Sequence, residues 1–289
     1  MRAMKSLDTR QRFLFDETHI RGEVTTLSKS YQAIKQRQNY PPAVAAILGE
    51  FLAAASLLSA TLKFKGIVSI QAIGRGAITS LVAECSNNTQ LRGIVRGDYQ
   101  SVSDSDNFKT LLGSATLAIT IEPEGRERYQ GLVPIDKDNL SECLEYYFTQ
   151  SEQLSTKIKL AADQHSAAGI LIQEMPHSRD DEQTQENWQH LSLLLESLKP
   201  EEQLELEHEQ QLYRLFHEQQ VRLFDPEDLQ FFCSCSKPRT AKTLISLGYD
   251  EINDLYQEQG PIQVICEFCG QRYVFDKDDI NQLFEKDTL

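Results

Sequence analysis

Along the first 178 residues the apolar positions change period repeatedly. Three runs are short and β-branched: IVSIQAI from Ile67 to Ile73, TLAITIE from Thr116 to Glu122, and GILIQEM from Gly169 to Met175. They read as strands, because branched side chains lose rotamer freedom in helices and fit a pleated surface. In LSECLEYYFTQSEQL, by contrast, Leu140, Cys143, Leu144, Tyr147 and Phe148 recur at helical spacing, which predicts a helix from Leu140. Gly66, Gly74, Gly76, Gly93 and Gly97 mark turns. Helices and strands do not alternate regularly, so residues 1–178 are expected to form a mixed helix/sheet domain of α+β class with mostly antiparallel strands.

The most apolar stretch is AVAAILGEFLAAASLLSATL, Ala43 to Leu62, led by Pro41 and Pro42 as at a helix start. It is long enough to cross a bilayer. Glu50 lies near its middle, where a carboxylate is expensive in lipid, so the stretch is predicted to be a buried, Ala-rich core helix and not a membrane span.

From about residue 179 to 230 the pattern changes. Trp188, Leu191, Leu195 and Leu198 step by three, four and three and share one helix face. Pro200 followed by Glu201 and Glu202 predicts a second helix, with Leu212, Leu215, Phe216 and Leu223 as its apolar face. The segment contains no Gly and carries 4 basic against 14 acidic residues, whereas residues 1–178 net zero. It reads as an acidic helical linker: either a connector packed on a neighbour, or one of marginal stability. Dense like charge repels itself, and short helices depend on tertiary contacts.

Residues 231–289 are few for a self-sufficient core. They hold Cys233-Ser-Cys235, thirty intervening residues, then Cys266-Glu-Phe-Cys269-Gly270. Two thiol pairs, the second closed by Gly, offer four soft ligands to one metal, and tetrahedral zinc suits them best. Local disulfides or plain thiols are the alternatives. Structural zinc supplies folding free energy on the order of 10 kcal/mol, so its loss would unfold so small a segment. Bound cysteines are thiolates, and thiolates are what oxidants attack; each has a neighbour two or three positions away with which a sulfenate can condense. The segment is therefore predicted to be a zinc-binding domain able to sense oxidation.

The rest of the chain narrows the field. Cys85 and Cys143 read as small buried hydrophobes, and the six histidines are scattered, none of them in the last segment. Gly74-Arg75-Gly76 lacks the further glycine of a nucleotide fingerprint and no P-loop Lys-Ser/Thr follows. No catalytic constellation emerges, so no enzyme is expected. The net charge of -14 leaves no segment with the basic excess of a phosphate-backbone binder. The N-terminus lacks the apolar core of a signal peptide, which predicts a soluble, cytoplasmic protein.

The spaced cysteines in FFCSCS (Phe231 to Ser236) and VICEFCGQRYVF (Val264 to Phe275) resemble the redox switch of the heat shock protein 33 family, bacterial chaperones regulated by oxidation. GIVRG at Gly93, GLVPI at Gly131, YYFTQSEQL at Tyr146 and AAGILIQEMP at Ala167 are similar to family blocks in the same order. The resemblance implies zinc on Cys233, Cys235, Cys266 and Cys269 in an inactive reduced form. It implies disulfides Cys233–Cys235 and Cys266–Cys269 on oxidation, release of zinc, unfolding of residues 231–289 and destabilisation of the linker. It further implies ATP-independent binding of unfolded client proteins and a homodimer of the oxidised chain. Two other readings stay in view: a constitutive zinc ribbon docking nucleic acid or protein, disfavoured by the net -4 of residues 231–289, and a thiol-disulfide oxidoreductase using Cys266 and Cys269.

Overall fold

The computed structural model describes residues 8–61, 65–176 and 182–285. The chain divides into two compact units, Met1–Phe232 and Cys233–Leu289.

In the first unit, β1 (Thr9–Phe15) and β2 (Ile20–Leu27) form a hairpin, followed by α1 (Lys29–Lys35) and the long α2 (Pro42–Thr61). Next come β3 (Gly66–Ile73), β4 (Ile78–Ser86), β5 (Gln90–Gly97), α3 (Phe108–Leu112), β6 (Thr116–Pro123), β7 (Tyr129–Pro134) and α4 (Leu140–Tyr147). Then β8 (Thr156–Ala162) and β9 (Ala167–Glu174) lead to α5 (Glu182–Glu196), α6 (Pro200–Glu205) and α7 (His208–Phe216). Three short strands finish the unit: β10 (Val221–Leu223), β11 (Glu227–Asp228) and β12 (Gln230–Phe231). One sheet runs β10-β1-β2-β9-β8 with β11 also on β1; the other runs β12-β5-β4-β3-β6-β7. Every pairing is antiparallel except β12 on β5, in keeping with the α+β expectation.

α2 packs against strands of both sheets, and sixteen of its twenty residues are buried. That burial accounts for its membrane-like composition: a helix enclosed on all sides has no face to make polar. Glu50 is the costly exception, and burial pushes its carboxyl up to about 7.

The strand GILIQ of β9 is apolar without alternation because both its faces are covered. Leu171 points into the main core beside α2, whereas Ile170 and Ile172 point into a second core. That second core joins Phe13, Phe15, Ile20 and Val24 of the first sheet to Leu191, Leu195 and Leu198, and to Leu212, Leu215 and Phe216 of α7. The acidic helices are thus seated by their apolar faces, and Phe216 meets Phe15 edge-on at 4.9 Å. Gly22 makes room for this packing: a β-carbon there would lie 2.0 Å from the Phe13 ring opposite it.

Three sequence expectations need correction; one is that Gly66, Gly93 and Gly97 lie within β3 and β5 and not in turns. The helix from Leu140 does not run through to Leu154; it ends at Tyr147 and widens into a π-turn over Phe148–Glu152. The Thr149 hydroxyl donates back to Glu145 O at 3.0 Å, a contact that bends helices, and Gln153 turns left-handed at φ 55° so that Leu154 N reaches Phe148 O. The helix after Pro200 is likewise two short helices, broken where Leu206 is extended, and Leu223 belongs to β10, opposite Phe13.

The second unit contains α8 (Lys237–Leu247), α9 (Tyr249–Gln259), the hairpin β13 (Ile262–Ile265) and β14 (Arg272–Phe275), and α10 (Lys277–Glu285). Among the described residues its core is six buried side chains: Ala241, Leu244, Ile252, Ile262, Phe275 and Ile280.

Candidate metal centre

The four cysteines singled out in the sequence come together in the second unit. Cys233 and Cys235 lie on the extended segment entering α8. Ser236 caps that helix by accepting a hydrogen bond from Arg239 N, and Pro238 occupies its first turn, where its missing N–H is not needed. The cap fixes where the extended segment must end, one residue after Cys235.

Cys266 and Cys269 sit on the turn joining β13 to β14. Cys266 N donates to Gln271 O at 2.9 Å and Gly270 N donates to Cys266 O at 2.7 Å, closing the turn from both sides. Gly270 adopts φ 70°, a conformation that L side chains resist, which is why Gly follows the Cys-x-x-Cys pair.

All four Sγ atoms lie within 4.8 Å of one another. Cys233 Sγ is 3.7 Å from Cys266 Sγ, and Cys235 Sγ is 3.2 Å from Cys269 Sγ. A disulfide needs about 2.05 Å, and all six cysteines of the chain are thiols. Four sulfurs at the usual 2.3 Å from a tetrahedral zinc stand about 3.8 Å apart. The donor set therefore fits a tetrahedral thiophilic cation in chemistry and in spacing. The Tyr273 hydroxyl donates to Cys235 Sγ at 3.0 Å, the kind of outer contact that orients a ligating sulfur.

Electrostatics argue the same way. Burial, then the neighbouring Cys235, Cys266 and Cys233, push the Cys269 thiol up to about 12. The hydrogen bond to Cys235, then burial, raises the Tyr273 hydroxyl to about 12. A divalent ion bound among the sulfurs would favour the thiolate instead.

Cys85 and Cys143 are buried in the main core, and burial raises both thiols. The sequence reading missed Tyr273, although its place four residues after Cys269 puts it on the strand leaving the turn. It also missed Arg10, whose buried guanidinium signals nothing in a charged strand such as TRQRFLF.

Comparison with known proteins places this architecture. The family model described as Hsp33 protein matches residues 8–276. The chain belongs to the Hsp33 family. Among its curated relatives, the 33 kDa chaperonin of Pseudomonas paraeruginosa is 45% identical over 284 residues, 97% of this chain and 96% of the relative. That of Ectopseudomonas mendocina is 45% identical over 280 residues, 96% of this chain and 95% of the relative. The crystal structure of the 33 kDa chaperonin homologue from Thermotoga maritima shares the fold, with a TM-score of 0.82 and 22% identity over 97% of this chain and 99% of that one. The protein is thus a chaperone by family, with four cysteines positioned to hold a metal ion.

Proposed function

We infer that the chain is an ATP-independent holdase switched on by oxidation of Cys233, Cys235, Cys266 and Cys269. The convergence of their four Sγ atoms within 4.8 Å carries the reading, because it ties the folding of the second unit to thiolate chemistry. Zinc held there would supply folding free energy on the order of 10 kcal/mol to a unit whose core, among the described residues, is six buried side chains.

A thiolate attacking peroxide displaces hydroxide and becomes a sulfenic acid. Its neighbouring thiol then displaces water to leave a disulfide. Two such events, pairing Cys233 with Cys235 and Cys266 with Cys269 as the family resemblance implies, consume two peroxides and leave no thiolate for a metal. Residues 231–289 then unfold, and residues 179–230 lose order with them, unseating from the chaperone core, residues 1–178. The faces bearing Leu191, Leu195, Leu212, Leu215 and Phe216 become surface able to hold apolar client segments, while the acidic charge keeps the complex in solution. The family resemblance also supports a cytoplasmic location and a homodimer for the oxidised form.

The test is to purify the reduced protein, measure bound zinc, and add peroxide under mild heat while following zinc release beside light scattering from an aggregating client. One zinc leaving per chain as scattering falls is the expected result. Zinc retained throughout would make the centre purely structural, and loss of zinc with insulin-reductase turnover but no client protection would favour thiol exchange.

A further inference from the structure

The last residues of the first unit form a strap that lies across both sheets and leads directly into Cys233. β10 pairs with β1 from Val221 opposite Phe15 to Leu223 opposite Phe13. β11 continues along the same strand, Glu227 opposite Arg10 and Asp228 opposite Thr9. Leu229 N donates to Asp8 O at 2.7 Å, Gln230 N to Thr89 O at 2.9 Å and Phe232 N to Leu91 O at 3.0 Å, carrying the strap onto the edge of β5.

Its side chains alternate. Leu229 and Phe231 turn toward the body of the unit, Asp228, Gln230 and Phe232 are exposed, and Glu227, although itself exposed, reaches in to Arg10. Leu229 is buried in the main core, and Phe231 packs against that core with the Arg37 guanidinium 4.8 Å from its ring centre. Glu227 binds Arg10, and the contrast within this pair is informative: the Arg10 side chain is 2% exposed, that of Glu227 59%. Arg10 is otherwise held by Ser56 O and Ser59 Oγ, both at 2.7 Å, and its Nε has no partner. The nearby Glu23 is taken by Arg12 at 2.7 Å. Glu227 is therefore the carboxylate hydrogen-bonded to this buried cation, and it arrives on a short strand paired to the edge of β1.

We propose that the strap is the resident occupant of a client-binding groove, which accepts an extended segment of the form acidic–x–leucine–x–aromatic once the strap has left. The proposal rests on the redox-holdase reading above and names the ligand chemistry of the opened form. A departing strap takes from the buried Arg10 its hydrogen-bonded carboxylate, and leaves an apolar socket where Leu229 was and two sheet edges with unpaired backbone groups. Each is a cost that an incoming strand of the same pattern removes, since strand addition supplies the backbone bonds and alternate side chains supply the selectivity. In the reduced chain the tethered strap outcompetes any free segment by its high local concentration.

The test uses the full-length protein and fluorescein-labelled peptides of the strap, VRLFDPEDLQFF, residues 221–232. The oxidised protein should bind this peptide at least tenfold tighter than versions carrying the Glu227→Lys or Leu229→Asp change, and the reduced protein should bind none of them. Excess peptide should restore client aggregation, and the amides of Leu229, Gln230 and Phe232 should lose hydrogen-exchange protection on oxidation. Equal binding of all three peptides, or strap amides still protected in an oxidised chain that holds client, would overturn the groove and leave the holdase reading standing. Selective peptide binding by an oxidised chain that protects no client would support the groove and fault the holdase reading instead.

Discussion

Phe216→Ala should switch on client binding without oxidation. Phe216 is 1% exposed, meets Phe15 edge-on at 4.9 Å and lies 6.4 Å from Phe13, so it is the main aromatic anchor of α7 on the first sheet. Truncating such a side chain costs about 3–5 kcal/mol, the edge-on pairing included. Local opening of a seated element costs anything from nearly zero to the global stability. If α5 to α7 open at a cost of about 5 kcal/mol, roughly one molecule in several thousand is open at a time. A loss of about 4 kcal/mol raises that to roughly one in six. The metal centre belongs to the other unit and should be untouched. Native-state hydrogen exchange on the reduced, zinc-loaded variant should therefore show faster exchange in α5 and α7, with unchanged zinc content, and light scattering should show client protection without peroxide. Leu58→Ala in the main core, of comparable cost, is the control: it should lower global stability without activating. Full protection of α5 and α7 in the Phe216 variant, or equal activation by both variants, would refute the argument that release of the acidic helices is the switch.

Other perturbations follow from the same geometry. Cys269→Ser should abolish one-to-one zinc binding and make residues 233–289 protease-sensitive; unchanged zinc stoichiometry in that variant would sink the four-sulfur centre. Tyr273→Phe removes the hydroxyl 3.0 Å from Cys235 Sγ and should weaken zinc roughly tenfold in a chelator competition while leaving the fold intact. Glu50→Gln should flatten the pH dependence of stability. Its folded carboxyl sits at about 7, above the unfolded range, so the stability it contributes is complete at low pH and is lost as pH rises through 7. Urea titrations should show the wild type losing ~2 kcal/mol more than the variant between pH 5 and 8; parallel curves would mean that Glu50 is solvated.

The sequence carried the parts of this structure that local pattern can encode. Four thiols in two close pairs predict a shared site because few other arrangements of cysteine have a use in a short, weakly cored segment. The apolar steps at Trp188, Leu191, Leu195 and Leu198 are periodic, so the face they form was visible, and what covered it was not. Long-range register left no such trace. The strands of TRQRFLF and IRGEVTTL are interrupted by charges because Arg10 and Arg12 find Glu227 and Glu23 across the fold, a match that no window of sequence contains. The π-turn after Tyr147 is hidden for a similar reason: a Thr and a Gln read as helix-tolerant until one donates backward and the other turns left-handed.

α2 has a consequence for how the protein is made. It is complete by Thr61, but the strands that enclose it extend to Glu174, more than a hundred residues later. At about 5–20 residues per second, the ribosome needs roughly 6–20 s to deliver that covering. During this interval the nascent chain presents a twenty-residue apolar helix only part of whose covering, the β1–β2 hairpin before it and the strands made so far, has been delivered, which leaves the kind of surface chaperones exist to shield. A newborn copy of this chaperone is, for those seconds, itself in need of one.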